Sequence, residues 1–244
     1  MTIHLELRED IAWATLDHGL DIETCTRLVL ALEEADAAGA RALVLTGTGD
    51  TFSPGIDATR LAEGGARYVE EFLPALSDAL LAVFGFPHPV VAAVNGHATG
   101  SGLVLAAACD HRVAADGAGR MGVPQLLAGA PFPLAALEIL RCAYGTGPLP
   151  ALAYSGAGLT VEDALARGLV DEVVPAGELP ARAGEMAVRL AGVPAEAFAH
   201  TKAQLRQPYH ERIAENRVAD DAQVQRLWSA ESTLAAVKSS VDVS

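Results

Sequence analysis

Hydrophobic and polar positions alternate with period two at the start of the chain and with a helical period soon after. Ile3, Leu5 and Leu7 are separated by polar residues, and Ile11–Leu16 follows a polar turn, which predicts two strands. Ile22, Cys25, Val29 and Leu32 then fall on one helical face, with Asp21 placed to cap the helix and Gly39 to stop it. Residues 41–46 (Arg-Ala-Leu-Val-Leu-Thr) read as a buried strand that ends in the turn-forming Gly-Thr-Gly-Asp at 47–50. A strand–helix–strand order of this kind predicts an α/β class.

Further on, Val69, Phe72, Leu73, Leu76, Leu80 and Val83 recur at helical spacing. Pro74 lies inside that pattern and predicts a kink or a restart, and Pro87 and Pro89 close the segment. Val90–Val94 is a second buried strand, 100–108 a short buried helix, and 110–114 a third strand. From about residue 133 the pattern is mostly helical, with a short strand at 170–174. Residues 194–240 read as two or three amphipathic helices that carry most of the polar surface. No repeat of fixed period is present.

Composition narrows the class. Of 244 residues, 51% are hydrophobic, enough for a sizeable core, and only 5% are aromatic, which favours closely packed Ala- and Leu-rich helices. No uncharged apolar stretch reaches the roughly 18 to 20 residues that span a bilayer, and no secretory leader is visible. A soluble, cytoplasmic protein is the expectation. With 17 Lys+Arg against 31 Asp+Glu the net charge is −14, which argues against a nucleic-acid or anionic-membrane partner. Cys25, Cys109 and Cys142 are widely spaced in apolar contexts and read as reduced core thiols, with no metal site.

Two segments carry candidate chemistry. Phe52-Ser53-Pro54-Gly55-Ile56-Asp57 leaves a buried strand through a turn, where Gly55 permits unusual backbone angles and Ile56 can present a free N–H. Val94-Asn95-Gly96-His97-Ala98-Thr99-Gly100-Ser101-Gly102-Leu103 runs from a strand into a Gly-flanked helix start, which offers free N–H groups and a positive dipole end to a developing oxyanion. Taken singly, the first is also compatible with an ordinary strand exit and the second with close helix packing.

Together, and in this order, the two segments resemble the enoyl-CoA hydratase/isomerase (crotonase) superfamily. Ala107-Ala108-Cys109-Asp110-His111-Arg112, Gly122-Val123-Pro124-Gln125 and Ala166-Arg167-Gly168-Leu169-Val170-Asp171-Glu172-Val173-Val174 extend the resemblance over nearly the whole chain. It implies a crotonase-like α/β spiral of ββα units over residues 1–190 and a C-terminal helical trimerisation region over 191–244, assembled as a homotrimer or homohexamer. It implies an acyl-CoA substrate, with CoA as part of that substrate and no separate cofactor. The backbone N–H groups of Ile56 and Ser101 would form the oxyanion hole for the thioester carbonyl. Ser53, Pro54, Gly55, Asp57 and Ala58, with Gly100, would line the substrate path, and Lys202 resembles a lysine that helps to hold CoA phosphates.

The chain departs from the hydratase pattern at both catalytic glutamates. Val104 stands where the first would fall and Gln125 where the second would follow Pro124. Valine transfers no proton, and a carboxamide orients water without serving as a base near neutral pH. An apolar residue at Val104, together with Ala130-Pro131-Phe132 and Thr201-Lys202, is similar to the mitochondrial-type Δ3,Δ2-enoyl-CoA isomerase branch, although that branch keeps its glutamate at the position of Gln125. Other groups offer themselves as bases: Asp57, Glu70, Glu71, His97 and Glu138. Each also has a structural reading, as a helix cap, a solvated face, a hydrogen-bonded imidazole or an ion pair with Arg141. Three functions therefore stand open: an enoyl-CoA isomerase acting through a stabilised enolate, a non-catalytic acyl-CoA-binding protein, and a thioester hydrolase or decarboxylase.

Overall fold

The computed structural model describes residues 3–241, so the first two residues of the range 1–190 and the last three of 191–244 lie outside it. A six-stranded sheet forms the centre, in the order β1-β2-β3-β5-β7-β9. Its strands are β1 (Ile3–Arg8), β2 (Ile11–Leu16), β3 (Ala42–Gly47), β5 (Val90–Val94), β7 (His111–Ala115) and β9 (Glu172–Val174). The β1–β2 hairpin is antiparallel and every other pairing is parallel.

Both faces of this sheet are covered, which is why its strands read as continuous apolar runs. Ala12, Ala14, Leu16, Leu43, Leu45, Ala92 and Val94 point into the large core beneath α1 (Ile22–Ala37), α2 (Ala58–Gly85) and α3 (Ser101–Ala108). The alternate residues Ile11, Trp13, Ala42, Val44, Val91, Ala93 and Val113 pack under Leu179, Ala183, Met186 and Ala187 of α7 (Leu179–Ala191). Each Leu, Ile, Val or Met among them contributes about 1.5–3 kcal/mol when fully buried.

Of two local expectations, one needs adjustment. Asp21 does cap α1, accepting from the Thr24 amide at 2.7 Å. The break in the second helix, however, falls at Gly65 (φ 59°, ψ −149°), and α2 runs on through Pro74 without a restart. Positive φ at Gly65 costs little because glycine has no Cβ, whereas Pro74 removes one backbone donor that the packed Phe72, Leu73 and Leu76 offset.

A second sheet was not legible in the hydrophobic pattern. β4 (Thr51–Ser53), β6 (His97–Thr99) and β8 (Met121–Gly122) pair in parallel, each only two or three residues long. Because the strands are parallel, their C-terminal ends emerge at one edge, and all three of the candidate catalytic positions follow those ends.

The remainder is helical: α4 (Leu134–Tyr144), α5 (Leu149–Ser155), α6 (Val161–Ala166), then α8 (Ala195–Trp228) and α9 (Glu231–Val241) after α7. The C-terminal region is thus two helices, with Pro208 carried inside the first. No helix among the described residues is long and apolar enough to cross a membrane. Cys25, Cys109 and Cys142 are free thiols, and burial pushes those of Cys25 and Cys109 up to about 12, so neither is a ready nucleophile.

Candidate active site

The exit of β4 is shaped by Gly55, whose φ of +90° is open to glycine. Space excludes any other residue as well: a Cβ there would lie 2.6 Å from the Thr99 carbonyl oxygen and 3.3 Å from the Ser101 nitrogen. On its other side the chain pairs with Leu20, whose N–H donates to the Gly55 carbonyl at 2.7 Å and whose carbonyl accepts from the Asp57 N–H at 2.9 Å. This bridge uses the groups flanking Ile56, so the Ile56 N–H faces away from Leu20. Asp57 then caps α2 by accepting from the Arg60 amide at 2.9 Å, which is the structural role weighed for it.

The exit of β6 delivers the second amide. Gly100 N–H donates to the Gly122 carbonyl at 2.8 Å, fixing β6 against β8, and the Gly100 carbonyl takes the first bonds of α3 from Leu103 and Val104. Ser101, the first residue of that helix, has no acceptor for its N–H among the described residues, and neither has Ile56. Such orphan amides at a helix start seek an external oxygen.

Both amides belong to residues that line one cavity of about 430 Å3. Pro54, Ala58, Thr99 and Gly100 complete its rim on this side, and Gln125 enters from the 3-10 turn Pro124–Ala128 that follows β8. The Gln125 Oε1 is buried with no hydrogen-bond partner, and would stand 3.8 Å from a Cβ on Gly100. The opposite wall comes from Ala130, Pro133 and Ala136 at the entry to α4, and from Trp228, Ala236 and Val237 of the C-terminal helices. Trp228 is held there by its indole N–H donating to the Pro131 carbonyl at 2.8 Å.

Of the residues expected at the site, Pro54, Ile56, Ala58, Gly100, Ser101 and Gln125 are brought together on the cavity wall. Ser53 and Gly55 shape the strand exit from behind, the Ser53 hydroxyl accepting from the Gly55 N–H at 3.3 Å. Val104 is fully buried in the core and is not part of the cavity wall.

Lys202 stands apart from this cavity. Its ammonium is buried away from this cavity, donating to Asp110 Oδ2 at 2.7 Å and to the His88 carbonyl at 3.1 Å. Burial lowers its pKa to about 8, against the pull of Asp110. The ammonium is held in an ion pair with Asp110 and is not on the wall of this cavity.

The other candidate bases take structural roles. Glu70 and Glu71 are exposed on α2. His97 Nδ1 accepts from the Arg120 amide at 3.2 Å. Glu138 is enclosed between Arg141 and Arg212, the latter at 2.9 Å. The wall from Trp228, Ala236 and Val237 was missed by sequence reasoning. The signal available was Trp228 itself, a large apolar residue ending an otherwise polar helix.

Two amides without an acceptor among the described residues thus sit at adjacent parallel-strand exits, on residues that line one cavity of this α/β core. A family model described as enoyl-CoA hydratase/isomerase matches residues 11–239, and the chain belongs to that family. A protein named as a probable enoyl-CoA hydratase from Mycolicibacterium paratuberculosis is 33% identical over 200 residues, covering 80% of this chain and 77% of that protein. The solved structure titled Mycobacterium tuberculosis enoyl-CoA isomerase superposes with a TM-score of 0.79 at 27% identity, covering 94% of this chain and 98% of that one. The human mitochondrial delta3-delta2-enoyl-CoA isomerase superposes with a TM-score of 0.92 at 24% identity, over 100% of this chain and 98% of that one. That last likeness concerns the fold, and the crotonase-type α/β spiral expected from the sequence is the fold observed.

Proposed function

We propose that the cavity receives the acyl part of a CoA thioester with its carbonyl oxygen between the Ile56 and Ser101 amides, and that the reaction is the shift of a 3-enoyl to a 2-enoyl double bond. The observation that carries this reading is the pair of unpartnered amides on residues that line one largely apolar cavity. Loss of a proton from C2 places negative charge on the thioester oxygen. Each amide aimed there stabilises that dienolate by about 3 kcal/mol. A base from outside the described cavity wall takes the C2 proton and returns it at C4, and the neutral Gln125 carboxamide orients water there without itself accepting the proton. The similarity to a solved enoyl-CoA isomerase at 27% identity supports the same reading. CoA enters as part of the substrate, and the assembly in this reading is a homotrimer or homohexamer, checked by mass in solution.

A second reading is favoured by one observation: no Asp, Glu, His or Lys is among the described residues of the cavity wall. An enolate also forms without a protein base when a 2-carboxyacyl thioester loses CO2. The electrons of the breaking C–C bond pass into the enolate held by the two amides, and solvent supplies a proton to C2. Turnover of 3-enoyl-CoA, read as conjugated-enoyl absorbance, is set beside CO2 and thiol release from 2-carboxyacyl-CoA. Conjugation supports the isomerase. CO2 release without conjugation replaces it with the decarboxylase, and thiol release with a hydrolase. Binding of acyl-CoA with none of the three leaves a non-catalytic binder.

A further inference from the structure

A second cavity, of about 370 Å3, opens between α8 and the end of α3 and shares no lining residue with the thioester site. Three cations converge on it: Arg112 from β7, and Lys202 and Arg206 one turn apart on α8, all of them buried. Their hydrogen bonds do not use up their donors. Lys202 gives two of three N–H groups, to Asp110 and His88. Arg206 gives one to Asp110 Oδ1 at 2.8 Å and one to the Phe84 carbonyl. Arg112 reaches Asp171 Oδ1 at 3.0 Å and the Cys109 carbonyl at 3.4 Å, while its Nε is buried with no partner.

Charge is unbalanced in the same sense. Arg112, Lys202 and Arg206 carry three positive charges against two negative ones on Asp110 and Asp171. Neighbouring His111 bonds Glu172, which Arg182 already neutralises. A desolvated excess of one positive charge, with donors to spare, is stabilised by one anion offering several acceptor oxygens. Phe84, Leu190, Phe198 and Leu205 supply an apolar remainder to the wall. A phosphate dianion would overshoot the charge and leave those side chains without a partner.

We propose that this cavity is a second ligand site, for a monocarboxylate with an aliphatic stem, whose carboxylate sits on Arg112, Lys202 and Arg206. The site is independent of the thioester reading. Octanoate is the probe, titrated calorimetrically into the intact protein near neutral pH, beside acetate, which lacks the stem, and octanol, which lacks the charge. Octanoate is expected to bind at least about tenfold more tightly than either, and equally well in the presence of saturating CoA. Leu205 lines the rim and is 68% exposed, so Leu205→Glu leaves the core intact while opposing an anion. It should weaken octanoate by about tenfold with an unchanged Tm. No octanoate binding, equal binding of octanol, or no effect of Leu205→Glu would each overturn the proposal. Competition by CoA would overturn it too, because the cavity would then belong to the thioester path.

Discussion

The Thr99 hydroxyl donates to the Pro54 carbonyl across 2.9 Å, tying together the two strand exits that carry Ser101 and Ile56. The distance between the two orphan amides is therefore set by a cross-link between the loops as well as by the sheet beneath them. Gly55 lies at the closest point of that junction.

Gly55→Ala tests the junction directly. Its Cβ would meet the Thr99 carbonyl at 2.6 Å and hold a φ of +90°, so the two exits must separate. The strained backbone costs about 1–3 kcal/mol. Turnover should fall by about 10²-fold, the loss typical of one oxyanion donor. Steady-state kinetics on the best thioester substrate, with unfolding measured in parallel, gives both numbers. A fully active variant would remove the paired-amide mechanism.

Gln125→Glu should create what the wall lacks. The two side chains are nearly isosteric, and the carboxylate would stand beside Gly100 at the cavity. Isomerase activity is expected to rise about 10²-fold or more. Desolvation raises the pKa of a carboxyl placed there, so the gain should increase with pH across the neutral range. Absence of any gain, with acyl-CoA binding intact, would show that C2 and C4 do not lie beside this position.

Crotonyl-CoA hydration by the native protein should be negligible. Val104 is buried and apolar and Gln125 is neutral, so neither of the two proton transfers in hydration has a donor on this wall. General acid–base groups contribute about 10²–10⁴-fold each. Loss of enoyl absorbance at a rate normal for a hydratase would demand carboxylates outside the described wall.

Lys202 makes stability depend on pH in an unusual direction. Burial holds its folded-state pKa near 8, below the ordinary 10.5, so between these values the unfolded chain binds more protons than the folded one. Stability from this group therefore rises with pH across the window from about 8 to 10.5. Relative to Lys202→Met, the native protein should gain up to about 3 kcal/mol over that range. Asp110 keeps Arg206 and the Val90 amide in the variant, so the comparison does not leave its carboxylate unpaired. Chemical denaturation at several alkaline pH values measures the difference, and a flat difference would mean that Lys202 is not desolvated as described.

Glu138→Gln removes a buried carboxylate shared by Arg141 and Arg212. Arg212 is largely exposed and recovers solvent, so a loss of about 1–3 kcal/mol is expected, below the cost for a fully buried pair. Urea unfolding reads it. Retained turnover would agree with a role in seating α8 on α4, whereas loss of turnover in a folded variant would return Glu138 to the list of candidate bases.

Much of the main sheet was legible because its strands are long enough to show continuous apolar runs, as in Val90–Val94, all five residues of which are buried. The paired amides were legible through glycine, since Gly55 and Gly100 mark the backbone geometry that frees Ile56 and Ser101. The small sheet was not, because strands of two or three residues such as Met121–Gly122 are too short to carry a period. Lys202 could not be placed from sequence either: its partner Asp110 lies 92 positions away, and an exposed and a buried lysine look alike on a polar helix. The cavity wall formed by Val237 and Ala236 depends on how α9 returns over the 3-10 turn, a tertiary relation with no local signature.

The short parallel sheet separates two tasks along the chain. In the proposed reading the exits of β4 and β6 would hold the carbonyl by backbone atoms, which any side chain at Ile56 and Ser101 would supply equally, whereas the exit of β8 brings a side chain, Gln125, to the cavity wall. Substitution at the third exit can thus alter what happens to the bound thioester without disturbing how it is gripped. Divergence in such a scaffold would have a short path: one codon at the end of β8 would change the reaction, while the grip would be inherited unchanged.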